Sequence, residues 1–191
     1  MFNSRTLSRT TIALAPLVGL ALLSCDNAPP TLAPTTPNAA AMSHSTSAQA
    51  LGADVNADLA ALRALTAAFH NFDKAKAAGW STQITPCLEI PIGGQGFHYG
   101  NTAFIDGTVN LLQPELLMYE PQENGQLRLV AVEYIVPLAA WTSSSPPTLL
   151  GRQFTVNADA GIWALHVWLW SHNPLGLHAD WSPRVSCQAA P

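Results

Sequence analysis

Two hydrophobic periods divide this chain. Leu59, Leu62, Leu65, Thr66 and Phe69 recur at the spacing of one helix face, with alanine filling between them. Asp54 or Asn56 can cap that helix. Asn71 or Asp73 restarts a short helical segment over 74–78, where Gly79 suits the left-handed C-cap and Trp80 is expected to fold back. Beyond Trp80 the pattern turns to β. Apolar, β-branched and aromatic runs predict strands at 85–92, 97–99, 114–120, 127–137, 149–156, 162–170 and 185–188. Gly93-Gly94-Gln95-Gly96 reads as a flexible turn. Glu123-Asn124-Gly125 marks the clearest hairpin, because Asn-Gly fits the tight connection between antiparallel strands. Residues 143–147 and 172–183 are polar loops, and no internal repeat stands out. The pattern predicts an α+β domain, with an N-terminal helix packed on a mainly antiparallel sheet of about five or six strands.

Upstream the pattern is of another kind. Arg5 and Arg9 precede residues 11–23, which are apolar or small throughout. A membrane-spanning helix needs about 20 apolar residues, so this stretch has the length of a signal-peptide core instead. It ends in Leu22-Leu23-Ser24-Cys25, which resembles the lipobox of bacterial lipoproteins. The resemblance implies a signal peptide over 1–24, cleavage before Cys25, and a diacylglycerol thioether on the Cys25 sulfur. An ordinary secretory signal that contains a cysteine is the alternative. Residues 25–52 are rich in Ala, Pro, Thr and Ser with few large apolar side chains, so they are expected to form a disordered tether. Residues 53–191 then form a single globular domain. The expected location is the bacterial cell envelope, outside the cytoplasm, with the lipid bilayer as partner through Cys25. Asp26 resembles an inner-membrane retention signal of some bacteria, and the choice between inner and outer membrane stays open.

Charge and cysteine usage sharpen this picture. Arg5 and Arg9 are 2 of the 8 basic side chains, whereas all 12 acidic ones lie beyond the signal. The mature chain is acidic, which argues against nucleic acid as a partner. Of the 3 cysteines, lipidation uses Cys25 and leaves Cys87 and Cys187. Outside the cytoplasm these are expected to pair as one disulfide, which for a loop of about 100 residues contributes roughly 4–5 kcal/mol. A zinc site built on the two sulfurs lacks further sulfur ligands.

Candidate chemistry rests on histidines and carboxylates. In 127–137, both faces of the strand are mostly apolar, so Glu133 is expected to be at least partly buried. A buried carboxylate must be paired, protonated or metal-bound. With Glu123-Asn124-Gly125 as a three-residue loop, Gln122 opposes Gln126 and Glu115 faces Glu133; a slip of one residue would set Glu115 beside Tyr134 instead. His166 lies in the apolar run 162–170, His98 sits beside the glycine turn, and His172 and His178 follow in the next loop. Histidine and carboxylate together suit Zn, Cu, Fe or Ni, yet no spacing here is a tight metal motif. A satisfied polar core with unused surface histidines is the competing reading. His70 is expected to satisfy helix-end carbonyls, and Trp168, Trp170, Tyr99 and Trp181 to serve the core, with an apolar or carbohydrate cleft as the alternative. No Gly-x-Ser-x-Gly elbow is present, and Gly93-Gly94-Gln95-Gly96 lacks the lysine of a phosphate loop.

Several segments resemble a group of uncharacterised bacterial secreted proteins and lipoproteins. They are the helix closing in Ala78-Gly79-Trp80, Gly94-Gln95-Gly96-Phe97-His98-Tyr99, Pro114-Glu115-Leu116-Leu117-Met118-Tyr119, Leu129-Val130-Ala131-Val132-Glu133-Tyr134, and Leu165-His166-Val167-Trp168 with Asn173-Pro174 and Gly176. The likeness runs from about Leu59 to Cys187 and departs at Gln95, where methionine is the expected residue. It implies a fold unit and a site at His98, Glu115, Glu133 and His166, not a reaction. The expected function is a membrane-tethered lipoprotein binding a transition metal, Zn or Cu, or a small ligand through His98, Glu133 and His166, with Glu115, His172 and His178 as further site residues. The alternatives are a metal- or carboxylate-dependent extracytoplasmic enzyme and a structural lipoprotein without ligand.

Overall fold

The computed structural model describes residues 39–191. The expected signal peptide, Cys25 and the first half of the expected tether, up to residue 38, lie outside the described residues. Helix α1 (Ala39–Thr66) starts well before Asp54 and takes in residues for which the composition predicts a disordered tether. Proline ends at Pro37, and the alanines that follow have the highest helix propensity. A 3-10 turn (Ala67–His70) leads to α2 (Phe72–Ala77), where the Lys74 N–H donates to the Asn71 side-chain cap at 3.2 Å. Gly79, at φ 111°, reverses the chain, and the Trp80 N–H donates to the Ala75 carbonyl at 3.0 Å. No helix among the described residues is long and apolar enough to cross a membrane.

Eight strands follow: β1 (Thr82–Ile90), β2 (Gly93–Gly100), β3 (Leu116–Pro121), β4 (Leu127–Pro137), β5 (Thr148–Leu149), β6 (Arg152–Gln153), β7 (Thr155–Asn157) and β8 (Ile162–Val167). Six form one antiparallel sheet in the order β1-β2-β3-β4-β8-β7, and β5 pairs with β6 separately. The α+β class and the mainly antiparallel sheet are as the pattern predicts. The differences in detail have local causes. Residues 93–96 are not a flexible turn but the first half of β2. Their glycines let other backbone come close: a Cβ on Gly94 would meet the Val185 carbonyl oxygen at 2.7 Å, and Gly94 exchanges hydrogen bonds with Ser182 at 3.0 and 3.1 Å. The run 149–156 is broken by Leu150 and Gly151, at φ 52° and 70°, which make a two-residue hairpin. Leu150 tolerates the left-handed conformation because its side chain is buried in the core. Residues 185–188 form no strand.

The hairpin of β3 and β4 carries the decisive irregularity. Near its turn the expected register holds, with Pro121 opposite Leu127 and Tyr119 opposite Leu129. Met118 then pairs with Ala131, so Val130 bulges out and every later pair is displaced by one. Leu116, not Glu115, faces Glu133. The bulge also frees the Val130 carbonyl, which accepts from the Trp170 and Ser171 N–H groups, both at 3.1 Å. That attachment draws the chain off the sheet after Val167, which is why the apolar run 162–170 does not continue as strand.

Both faces of the sheet are covered. On one, Leu62, Phe69 and Trp80 of the helical layer pack on Leu117, Tyr119, Val132, Tyr134 and Val167. Tyr119 Oη donates to the Phe69 carbonyl at 2.7 Å, and Trp170 Nε1 donates to Thr66 Oγ1 at 3.1 Å. On the other, the segment from Trp168 to Cys187 acts as a strap, with Trp168 and Val185 against Met118, Val130 and Ala131. A disulfide between Cys87 and Cys187, with Cα atoms 5.7 Å apart, fastens the strap's end to β1.

Candidate metal centre

Three strands of the strap-covered face each contribute one polar side chain. Glu133 on β4 and His166 on β8 are direct cross-strand partners, a position that brings Cβ atoms to about 4.5–5.5 Å. His98 on β2 pairs with Met118, which pairs with Ala131, the residue before Glu133 on the same face. His98 therefore reaches across β3 toward the carboxylate. His98 Nε2 lies 3.3 Å from Glu133 Oε2, and His166 Nε2 lies 3.5 Å from Glu133 Oε1. One ligand atom from each residue falls within 4.8 Å of the other two. All three side chains are buried, with at most 7% of any of them exposed.

The surroundings treat the two imidazoles differently. Thr85 Oγ1 is 2.8 Å from His98 Nδ1 and fixes that ring. Burial pushes His98 below the ordinary histidine pKa, against the pull of Glu133, and His166 adds to the lowering. Its lone pair is therefore available near neutral pH. Burial would also lower His166, but Glu133 and Asp180 outweigh it and hold that ring above the ordinary value. Asp180 Oδ1 stands 3.5 Å from His166 Nδ1, near enough to bias its charge but beyond a normal hydrogen bond. Neither ring nitrogen of His166 has a hydrogen-bond partner. Buried polar atoms are nearly always satisfied, so two orphans on one ring call for an explanation.

A metal ion on Nε2 would account for one of them, and Asp180 stands 3.5 Å from the other. Bonds of about 2.0–2.1 Å from zinc to nitrogen and oxygen place tetrahedral ligands about 3.3–3.4 Å apart; His98 stands 3.3 Å from Oε2 of Glu133 and His166 stands 3.5 Å from its other oxygen, Oε1. Two imidazoles and a carboxylate with no thiolate suit Zn, Cu(II) or Fe(II). Thr85 and Asp180 stand behind the two histidines, where outer-shell partners of ligating imidazoles are found.

The other candidates lie apart from this group. Glu115 is buried, and its Oε2 accepts from the Ile135 N–H at 3.0 Å. Burial pushes it up to about 8, helped by Asp106 and Glu133 and opposed by two backbone N–H groups, so it is mainly neutral at pH 7. His172 is exposed. His178 Nδ1 is 2.9 Å from the His166 carbonyl and holds the backbone of β8 rather than joining the ligand atoms. His70 packs edge-on against Trp170, with ring centroids 4.4 Å apart. A second buried carboxylate, Glu120, is saturated by Arg128, Gln122 and the Ser186 N–H. Thr85 and Asp180 escape the sequence reading: Thr85 lies in an edge strand whose register depends on bulges, and Asp180 in a loop without period.

A cavity of about 360 Å³ opens on Glu133 and His166 and is walled by Gln95, Asn157, Asp180 and Trp181. A larger cleft of about 770 Å³ lies beside the disulfide and touches none of the three ligands. No family model matches the chain, and searches of curated proteins and of solved structures return no match.

Proposed function

We propose that this protein is a membrane-tethered extracytoplasmic lipoprotein whose domain binds one divalent transition metal ion, Zn or Cu, through His98, Glu133 and His166. The observation that carries the metal is His166: a buried imidazole 3.5 Å from a buried carboxylate, with no hydrogen bond at either nitrogen. A purely structural cluster would satisfy those atoms. The anchor rests on the lipobox-like run ending at Cys25, and the disulfide suits an oxidising compartment.

Elemental analysis of the purified chain tests the metal. The expected result is one Zn or Cu ion per chain, lost with the double substitution His98→Ala and His166→Ala while far-UV circular dichroism stays native. Stoichiometric metal in the folded double variant would remove the site from these residues.

A further inference from the structure

An ion held by His98, Glu133 and His166 would keep a position that these three side chains do not fill. Closed structural zinc sites take four protein ligands, whereas sites that handle an external ligand take three and keep a position open. Here three ligand atoms converge, and they are not equivalent with respect to solvent. Glu133 and His166 line the 360 Å³ cavity, whereas His98 does not border it. The unfilled side therefore points between Glu133 and His166, into a space at the small end of ligand pockets. The cavity is bordered by Gln95, whose Nε2 donates to the Asp180 carbonyl at 2.8 Å and steadies that wall. Thr155, Asn157 and Trp181 add neutral hydrogen-bonding groups and one aromatic ring to a lining that also holds the carboxylates of Asp159 and Asp180.

Charge narrows the occupant. A divalent ion on Glu133 keeps one net positive charge. Asp159 and Asp180, both at the cavity, more than cancel it, and among the described residues that line the cavity there is no lysine or arginine. An anionic ligand would meet two carboxylates without a compensating cation. A ligand that binds through an unprotonated nitrogen, whether neutral or with a positive charge on another group, keeps its bond to the metal, gains hydrogen bonds at the wall, and can lay its ring or charge against Trp181. Resting on the metal centre proposed above, we propose that the open coordination position takes a small nitrogen-donor ligand, neutral or cationic, such as an imidazole- or amine-bearing molecule, seated between Glu133, His166 and Trp181.

The test uses the full chain loaded with Co(II), whose visible spectrum reports coordination, titrated separately with imidazole and azide at pH 8. Imidazole is expected to give a saturable spectral change, half-complete at a concentration at least tenfold below that needed for azide. Ala158→Trp, which fills the cavity from its rim, is expected to keep one cobalt per chain and lose the imidazole response. A spectrum that neither probe alters would show a closed centre and overturn the proposal. So would azide binding more tightly than imidazole, or an undiminished imidazole response in the folded Ala158→Trp variant. Failure of the chain to take up cobalt at all would instead overturn the metal centre, and this proposal with it.

Discussion

At the scale of single residues, two buried carboxyl groups, one in the site and one apart from it, do different work. Glu133 stands between two imidazoles, where it would serve the proposed ion as a ligand. Glu115, pushed up to about 8 chiefly by burial, is held as a neutral acid that accepts one backbone hydrogen bond. Its effect on stability has a definite sign. The folded pKa lies above the ordinary 4.5, so the folded state binds the extra proton between the two values. The associated stability is complete below pH 4.5 and is lost as pH rises through about 8. Glu115→Gln keeps the shape and removes the titration. We expect the variant to match the native chain within about 1 kcal/mol at pH 5. At pH 9 it should be more stable by about 2–5 kcal/mol, at about 1.36 kcal/mol for each tenfold change in proton affinity. Urea denaturation of both proteins across that range checks it, and parallel pH profiles would show that Glu115 is ionised throughout.

At the scale of elements, the bulge at Val130 decides what the sequence could and could not reveal. The alternation Leu127, Leu129, Ala131, Glu133, Ile135 looks like one face, and the Asn124-Gly125 turn sets its register correctly as far as Tyr119 opposite Leu129. One extra residue then moves Leu127 and Leu129 to the helical side with Val132 and Tyr134, and leaves Glu133 across from Leu116. No local residue type announces such a bulge, so the Glu115–Glu133 pairing follows from the pattern but not from the fold. The candidate ligands themselves were legible because histidine and glutamate are conspicuous inside apolar strands. Their convergence was not, since it depends on β2, β4 and β8 being near neighbours in a sheet order that skips the sequence. The disulfide was legible from cysteine count and expected compartment alone. It closes a separation of 100 residues, worth about 4–5 kcal/mol by chain entropy. It also fastens the strap that holds Asp180 beside His166 through Ser182 on Gly94 and Ser186 on Glu120. Replacing Cys87 and Cys187 by alanine should lower stability by roughly that amount. It should also weaken metal binding about 10-fold or more, the usual effect of disturbing a ligand's outer partner. Calorimetry on the folded variant at low temperature separates the two, and unchanged metal affinity would detach the strap from the site.

At the scale of the whole molecule, the proposed metal centre and the proposed anchor make separate demands, and they can be parted experimentally. The three candidate ligands lie on β2, β4 and β8, and the polar side chains behind the two histidines are Thr85 and Asp180. Acyl chains on Cys25 would add about 0.8 kcal/mol for each buried methylene, so two or three of them hold the chain on a bilayer without help from an acidic protein surface. Cys25→Ser removes the acceptor sulfur and nothing else. The expected outcome is movement of the protein from the membrane fraction to the soluble fraction, with one metal ion still bound per chain and the Cys87–Cys187 bridge intact. Mass spectrometry of the native protein should find the mature chain beginning at Cys25 with its thiol acylated. A native chain that keeps Met1 and three free thiols would remove the anchor and the oxidising compartment together, and would leave the metal centre to be judged on its own geometry.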